Sequence, residues 1–209
     1  MRTLIEWINF ISLLISTLLF CYFYTLSVQP MKREEKRGVR AWKECGIFRG
    51  IAGFLEFIIV INLILWIWFP ISILNWLINP NIWVGIIICA AIIVPGLVIM
   101  LKGVKDAGKE TAQPSRDTVM YGGIYRFIRH PQSLGEFPIF VAIAFATNSW
   151  FLVIVMTIFV VVYVPIMIHY EEADLTRRFG DAYRKYQKNT RALFPKLSKR
   201  YIIKKKKNK

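Results

Sequence analysis

Histidine and cysteine are scarce in this chain, with two and three residues respectively among 209. The cysteines, Cys21, Cys45 and Cys89, are far apart and show no CxxC spacing, so we interpret them as small apolar packing residues. Two histidines without nearby cysteines do not form a zinc site. We therefore expect no metal site, and the cysteines indicate nothing about the redox compartment.

The motifs of several common enzyme classes are also missing. The stretch "YGGIY" at 121–125 lacks the spacing of the GxGxxG fingerprint and the βαβ setting that a dinucleotide site needs. The sequence contains neither a P-loop nor a GxSxG nucleophile elbow. These absences argue against a Rossmann dehydrogenase, a P-loop hydrolase and an α/β-hydrolase.

Charge is absent from three long stretches. Residues 7–31 and 57–101 carry no charged side chain, and 137–170 contains only His169 as a possible charge. About 20 apolar residues cross a hydrocarbon layer of about 30 Å, so these stretches predict bilayer-spanning helices. We expect an all-α integral membrane protein in one membrane domain, 1–209, with three spans in 1–101. The five predicted transmembrane helices are 7–29, 50–69, 82–101, 132–147 and 150–169.

Acidic residues are few, 13 against 28 Lys and Arg, and the basic residues are unevenly placed. Of the 28, all but Arg2 lie in 32–49, 102–129 or the segment after Tyr170. The positive-inside rule then predicts an outside N-terminus and a cytoplasmic C-terminus. The first apolar run is interpreted as a retained span, not a cleaved signal peptide. The excess charge is that of a membrane face, so no nucleic acid is expected, and the polybasic tail, 198–209, suits anionic lipid headgroups.

Polar side chains inside apolar spans are costly, and they mark candidate functional residues. The fourth and fifth spans form a hairpin, so Arg129 and His130 are expected to face the stretch from His169 to Glu172. Glu136, inside the fourth span, is a candidate for the same site. Glu56, near the start of the second span, is interpreted as a structural acid paired with Arg49.

The sequence after the fifth span predicts a short cytoplasmic cover for this site. Residues 171–179 are expected to continue the helix until Gly180 breaks it. Asp181 is then expected to cap an amphipathic helix that carries Tyr183 and Tyr186. Such a helix can fold back over the mouth of the hairpin and exclude water from a bound ligand.

Four fragments together resemble a known family. They are "GGIYRFIRHP", the "GE" that follows, "EEADLTRRFGDAYRKYQ" and "RALFPKL". In order and spacing, residues 118–197 are similar to the catalytic region of the isoprenylcysteine carboxyl methyltransferase family, whose wider group includes membrane phospholipid methyltransferases. Residues 1–100 resemble that family only in being membrane spans.

The resemblance implies S-adenosylmethionine as the methyl donor and a lipophilic or membrane-partitioned acceptor that enters from the bilayer. Glu136 or His169 is the expected base for an acceptor that must lose a proton. The cofactor is expected to lie beneath the C-terminal helix. The cofactor-binding residues that the resemblance implies are Asp117, Thr118, Val119, Met120, Tyr125, Arg129, His130, Pro131, Gln132, Ser133 and Glu171.

Two positions depart from the family pattern. Ser133 stands where the pattern usually has tyrosine, and Met167 stands where the carboxyl methyltransferases have the arginine that orients the substrate carboxylate. The donor is therefore predicted, whereas the acceptor stays open between a carboxylate, an amine and a thiol. The alternatives to a methyltransferase are a membrane reductase of the sterol type that uses NADPH, which shares a similar Arg-His-Pro turn, and a non-enzymatic membrane scaffold.

Overall fold

The computed structural model describes residues 2–116 and 122–195. Within these ranges all regular secondary structure is helical, and two isolated β-bridges are the sole extended pairings. Three short 3₁₀ turns, Ser72–Leu74, Gly108–Thr111 and Gly123–Arg126, lie in the connections. The α-helices are α1 Arg2–Ser27, α2 Pro30–Arg37, α3 Arg40–Leu65, α4 Trp83–Ala107, α5 Pro131–Ala146, α6 Trp150–Phe179 and α7 Asp181–Asn189.

Four of the described helices are long and apolar enough to cross a membrane. They are α1, α3, α4 and α6, whereas α5, with 16 residues, falls below this length. At 1.5 Å per residue α5 is about 24 Å long, which is shorter than a typical hydrocarbon layer. The predicted all-α membrane class is confirmed in outline, with four candidate spans and one shorter apolar helix where five spans were predicted.

The helices extend past the predicted spans because polar residues continue them at the ends. α3 begins at Arg40, ten residues before the predicted start of the second span, and α6 continues to Phe179. Gly180 then ends α6 with a φ of 57°, as the sequence predicted. Asp181 is the first residue of α7 and not its cap, because Gly180 itself occupies the capping position.

Helix α2 was not predicted, and its start is fixed by a residue distant in sequence. The backbone N–H groups of Met31 and Lys32 donate to the carboxylate of Asp174 in α6, at 3.2 and 2.8 Å. Asp174 is 2% exposed, so these bonds satisfy a buried charge. Pro30 at the first helical position needs no such partner. The tertiary contact thus holds α2 against α6.

Glycines let α4 and α5 approach each other closely. Gly85, Gly96 and Gly103 are spaced 11 and 7 residues apart, so they lie on one face of α4. A methyl group on Gly96 would lie 2.8 Å from the carbonyl oxygen of Gly135 in α5. Small residues give the same close approach at other membrane helix interfaces, where dispersion contacts hold helices together.

Substituting Gly96 with alanine is expected to lower the free energy of unfolding by about 1–3 kcal/mol, because the two backbones must separate to admit the methyl group. Gly53 in α3 is a matched control, since a methyl group there would meet no atom within 4 Å. Thermal unfolding of the two purified variants in detergent measures the change in stability of each. Equal midpoints for Gly96→Ala and Gly53→Ala would show that the close approach is not needed.

The apolar core lies between α1, α3, α5 and α6. Phe20, Ile59, Phe137 and Met167 are among its fully buried members. Polar contacts also join α1 to α3, where Asn9 donates to the carbonyl oxygen of Asn62 at 3.1 Å. The polar start of α5 and the polar end of α6 lie outside this core, where they border a separate cavity.

Candidate active site

A cavity lies where the start of α5 meets the end of α6. α1, α3, α7 and the segment after α4 complete its walls. Its lining residues include tyrosines, acids, arginines and His130. The wall is therefore polar and charged, unlike the apolar rest of the bundle. They are Tyr24, Val28, Pro30, Arg49, Glu110, Thr111, Pro114, Tyr125, Arg129, His130, Pro131, Gln132, Ser133, Glu171, Asp174, Leu175, Arg178, Phe179, Tyr183 and Tyr186.

His130 lies between two carboxylates. Its Nδ1 is 3.0 Å from Oε2 of Glu171, and its Nε2 is 2.9 Å from Oε1 of Glu172. The residue precedes Pro131, which starts α5, and it is 5% exposed. With both ring nitrogens directed at acids, the imidazole is arranged to donate from both sides.

This arrangement favours the charged imidazolium. Burial opposes the charge, but the charges and hydrogen bonds of Glu171 and Glu172 outweigh burial and raise the pKa of His130 to about 9. His130 is therefore protonated near neutral pH. The cavity thus contains a cation held by two anions, and the imidazole does not act there as a free base.

The charge of His130 makes stability depend on pH. Because its folded-state pKa, about 9, lies above the unfolded value of about 6.5, its contribution is complete below pH ~6.5 and is lost as pH rises through about 9. The loss is expected to be about 3 kcal/mol, measured as a fall in unfolding midpoint across that window. His130→Gln should show a flatter profile, and an identical profile in this variant would contradict the assignment.

Arg129 is committed to the protein itself. Its Nε and Nη2 contact Oε1 of Glu172, each at 2.6 Å. Its Nη1 donates to the carbonyl oxygens of Gln187 and Thr190. With all three nitrogens engaged, Arg129 fixes the end of α7 against α6 and has little capacity left for a ligand.

The segment after α7 pairs with the Arg129–His130 backbone. The N–H of Arg129 donates to the carbonyl oxygen of Arg191 at 3.0 Å, and that of His130 donates to Ala192 at 3.0 Å. α7 itself contributes Tyr183, 2% exposed, and Tyr186, whose hydroxyl donates to the carbonyl oxygen of Tyr125 at 2.5 Å. Burial raises the pKa of Tyr183, so its hydroxyl is neutral.

Two arginines hold the segment after α4 against the opposite wall. Arg178 of α6 pairs with Glu110 at 2.7 Å, and both side chains are nearly buried. Nη1 of Arg49 donates to the carbonyl oxygens of Glu110 and Thr111, at 2.8 and 2.9 Å. The Nε of Arg49 is buried and has no hydrogen-bond partner among the residues that the structure describes. An unmatched buried donor of this kind is a candidate ligand contact.

The structure brings most of the predicted cofactor residues to this one cavity. Its lining includes seven of them, Tyr125, Arg129, His130, Pro131, Gln132, Ser133 and Glu171. Gln132 donates to the hydroxyls of Tyr125 at 2.9 Å and Thr111 at 3.0 Å, which joins α5 to the segment after α4. Asp117, Thr118, Val119 and Met120 lie outside the described residues.

Neither predicted base, Glu136 or His169, is among the residues that line the cavity. His169 is exposed and its ring contacts Tyr170, with centroids 5.7 Å apart. Two residues along a helix are about 200° apart, so His169 faces away from Glu171 and the two histidines do not converge. Glu136 lies three residues below Ser133 on α5 and interacts with the carboxyl group of Glu56. Glu56 therefore does not have the expected partner, Arg49.

Sequence reasoning missed several wall residues. Arg49 and Tyr24 reach the cavity from α3 and α1, whereas the contacts of Glu172 with Arg129 and His130 agree with the expected meeting of the two helix ends. The charge asymmetry of the loops was a usable signal for Arg49, because it placed residues 32–49 and 102–129 on one membrane face. Nothing in the spacing of residues indicated which basic side chain of that face turns inward.

Comparison with known proteins finds a family that part of the chain resembles. The sequence model of the phospholipid methyltransferase family matches residues 80–182. The match starts earlier than 118–197, so it includes α4 as well as α5 and α6. No solved structure matches the chain.

Two curated relatives are named as methyltransferases. The methanethiol S-methyltransferase of Pseudomonas deceptionensis is 28% identical over 152 residues, which cover 66% of this chain and 56% of the relative. Methanethiol S-methyltransferase 1 of Bradyrhizobium diazoefficiens is 35% identical over 88 residues, which cover 42% of this chain and 29% of the relative. The matched region thus spans about half or less of the length of these relatives. Both relatives are named as methyltransferases, which favours a methyltransferase over the reductase and the scaffold that the sequence left open, and residues 80–182 are similar to the phospholipid methyltransferase family.

Proposed function

We propose that this protein transfers a methyl group from S-adenosylmethionine to the sulfur of a small or membrane-partitioned thiol. The observation that carries the proposal is the composition of the cavity wall. The wall contains an acid, Glu171, and an arginine, Arg49, whose buried Nε has no hydrogen-bond partner among the described residues. The cofactor has groups of both signs, an ammonium and a carboxylate. Glu171 is complementary in charge to the ammonium, and Arg49 is complementary to the carboxylate.

The polar groups fit the amino-acid end of the cofactor. Nε of Arg49 is the free donor that suits a carboxylate, by a charge-assisted hydrogen bond. Glu171 is the acid that suits the ammonium or the ribose hydroxyls, and its side chain remains 24% exposed within the cavity wall. Arg129, one of the predicted cofactor-binding residues, is already paired with Glu172.

The aromatic groups fit the remaining parts. Tyr24, Tyr125, Tyr183 and Phe179 contribute rings to the lining. Aromatic faces stack on a planar base and stabilise a nearby cation. When bound, the cofactor supplies a methyl group attached to a positively charged sulfur. The ring-lined wall excludes water from that group and holds it for an acceptor.

Ligand entry requires one wall to move. The free volume of the cavity is about 80 Å³, below the roughly 300–1,000 Å³ typical of ligand pockets. α7 and the residues after it are attached to the site largely by hydrogen bonds, such as that of Gln187 to Glu172 at 2.9 Å. We assign the opening to this α7 segment, which then covers the bound cofactor.

A thiol acceptor is supported by two observations. The curated relatives named above are methanethiol S-methyltransferases. Position 167, where the carboxyl methyltransferases have an arginine, is a fully buried methionine of the apolar core in this chain. A carboxylate acceptor would therefore lack its cation at that position, whereas a neutral thiol needs none.

The acceptor proton needs a destination when the carbon–sulfur bond forms. We assign it to Glu136, one helical turn along α5 from Ser133, together with Glu56, because two interacting acids share one proton and leave one carboxylate as the acceptor. His130 is not suited to this role because it is already protonated near neutral pH. Glu136→Gln should lower kcat with little change in cofactor affinity.

The proposal places the site on the cytoplasmic side of the membrane. The N-terminus outside and the C-terminus inside follow from the distribution of Lys and Arg. The cofactor then enters from the cytosol and a lipophilic acceptor enters from the bilayer. The polybasic tail, 198–209, lies outside the described residues, and its binding to anionic lipid headgroups is part of the proposal.

Methyl transfer from labelled S-adenosylmethionine to methanethiol, a prenylcysteine carboxylate and phosphatidylethanolamine tests the acceptor class. The expected result is label in dimethyl sulfide and none in the other two products. Met167→Arg should still bind the cofactor, and a gain of prenylcysteine methylation would support the role assigned to this position. Thermal stabilisation by S-adenosylhomocysteine but not by NADPH tests the donor separately. Label in the lipid or the carboxylate alone would overturn the thiol assignment.

A further inference from the structure

A groove lies on the outside of the bundle between α1 and α6. It encloses about 1,000 Å³, at the upper end of the sizes typical of ligand pockets. Leu14 and Leu18 of α1 and Ile158, Val162 and Ile166 of α6 form much of its wall. It shares no lining residue with the cavity around His130 within the described part of the chain. The groove is therefore a separate site.

The length of the groove matches one leaflet of a bilayer. Its α1 side runs from Leu14, near the middle of that helix, to Leu26, near its end. Twelve residues at 1.5 Å each span about 18 Å, close to half of a hydrocarbon layer of about 30 Å. Within the wall the hydroxyls of Thr25 and Tyr163 are 3.2 Å apart and satisfy each other. The wall thus suits an acyl chain.

The open end of the groove is positively charged. Lys32 and Lys36 of α2 and Arg177 of α6 line it, and all three side chains are exposed. Glu35 is the acid at this end, and Arg33 is paired with Glu44 at 3.2 Å. Neither Lys36 nor Arg177 has an ion-pair partner among residues 2–116 and 122–195. Three exposed cations against one acid are complementary to an anionic headgroup.

The positions of these cations are fixed by a buried contact. Asp174 of α6 accepts hydrogen bonds from the backbone of Met31 and Lys32, so the start of α2 is held against α6. Lys32 is thereby kept on the same rim as Arg177, three residues after Asp174. The charged rim is therefore part of the folded structure.

We propose that this groove binds one anionic phospholipid of the adjacent leaflet. The acyl chains lie along α1 and α6, and the phosphate is held by Lys32, Lys36 and Arg177. The site does not depend on the proposed donor or acceptor, because it uses neither His130 nor Glu171. A chain in this groove covers apolar side chains that the protein itself leaves open, such as Leu18 and Ile158, which are 69% and 58% exposed.

Native mass spectrometry of the protein in detergent, with equal amounts of phosphatidylglycerol and phosphatidylcholine, tests the proposal. The wild type is expected to retain phosphatidylglycerol in preference. Lys32→Gln with Lys36→Gln and Arg177→Gln should reduce that preference roughly tenfold. A matched control removes the same charge elsewhere, by Lys43→Gln with Lys102→Gln and Lys105→Gln, and should keep the preference.

A second variant tests the apolar part without changing charge. Leu18→Trp with Ile158→Trp should fill the groove and reduce retention of both lipids. Equal retention of the two lipids by the wild type, or equal losses in the rim variant and its control, would overturn the proposal. A lipid-free dimer would also overturn it, because a second copy would then cover the groove.

Discussion

Replacing His130 with alanine is expected to lower the free energy of unfolding by about 3 kcal/mol near neutral pH. The substitution removes the cation between Glu171 and Glu172, so that Glu171 loses its ion pair and Glu172 keeps only the pair with Arg129. Unpaired charge in a partly buried site costs more than the original pair contributes. The same variant should fail to bind S-adenosylhomocysteine, since the acid that faces the cofactor is no longer held in place. Thermal unfolding in detergent and ligand titration measure the two effects.

The chain supplies a matched control for this prediction. His169 is the other histidine, and because its side chain is exposed, His169→Ala should leave the unfolding midpoint near that of the wild type. Adding Glu171→Gln to His130→Ala should recover part of the lost stability, because one uncompensated carboxylate is removed. A midpoint for His130→Ala that equals the wild-type value at pH 7 would contradict the proposed charge arrangement.

Arg49→Gln is expected to lower the affinity for S-adenosylhomocysteine by roughly 10- to 100-fold. A hydrogen bond to a charged group contributes about 1.5–3 kcal/mol, which corresponds to a change of this size. The decarboxylated analogue of this ligand should lose little affinity in the variant, because it lacks the group that Nε of Arg49 is proposed to bind. Isothermal titration of both ligands with both proteins gives a double-mutant cycle. The coupling between residue and carboxylate is the quantity predicted.

Arg49 also donates to the carbonyl oxygens of Glu110 and Thr111, so a general loss of structure must be distinguished from a lost ligand contact. Arg33 is a suitable control, because its Nε is likewise buried without a partner but the residue lies outside the cavity. Arg33→Gln should bind both ligands as the wild type does. An equal loss for both ligands in Arg49→Gln would mean that the arginine only supports the wall. If the wild type bound neither ligand, the proposed donor itself would be wrong.

The helical membrane class could be predicted because it depends on long apolar runs, which the sequence shows directly. Helix ends were predicted less well, since polar residues extend α3 back to Arg40 and α6 forward to Phe179. α2 could not be predicted at all. Its first N–H groups are satisfied by Asp174, about 140 residues away, and no local pattern contains that contact.

The candidate site was likewise predictable only in part. The fragment around His130 and the pair Glu171–Glu172 were recognisable because hairpin topology brings neighbouring helix ends together. The expected convergence of His169 with His130 is not found, because the prediction ignored the helical phase that separates residues 169 and 171. Arg49 was missed because its role depends on the packing of α3 against the segment after α4. That packing depends on contacts distant in sequence.

The pairing of Arg129 and His130 with Arg191 and Ala192 has a consequence for biosynthesis. A ribosome completes α1 to α6 before it reaches residue 190, so the membrane bundle can assemble while the N–H groups of Arg129 and His130 still lack these carbonyl partners. These two N–H groups find their partners only when residues 191 and 192 have been made. A nascent chain would therefore be inserted in the membrane before α7 and the residues after it can cover the site.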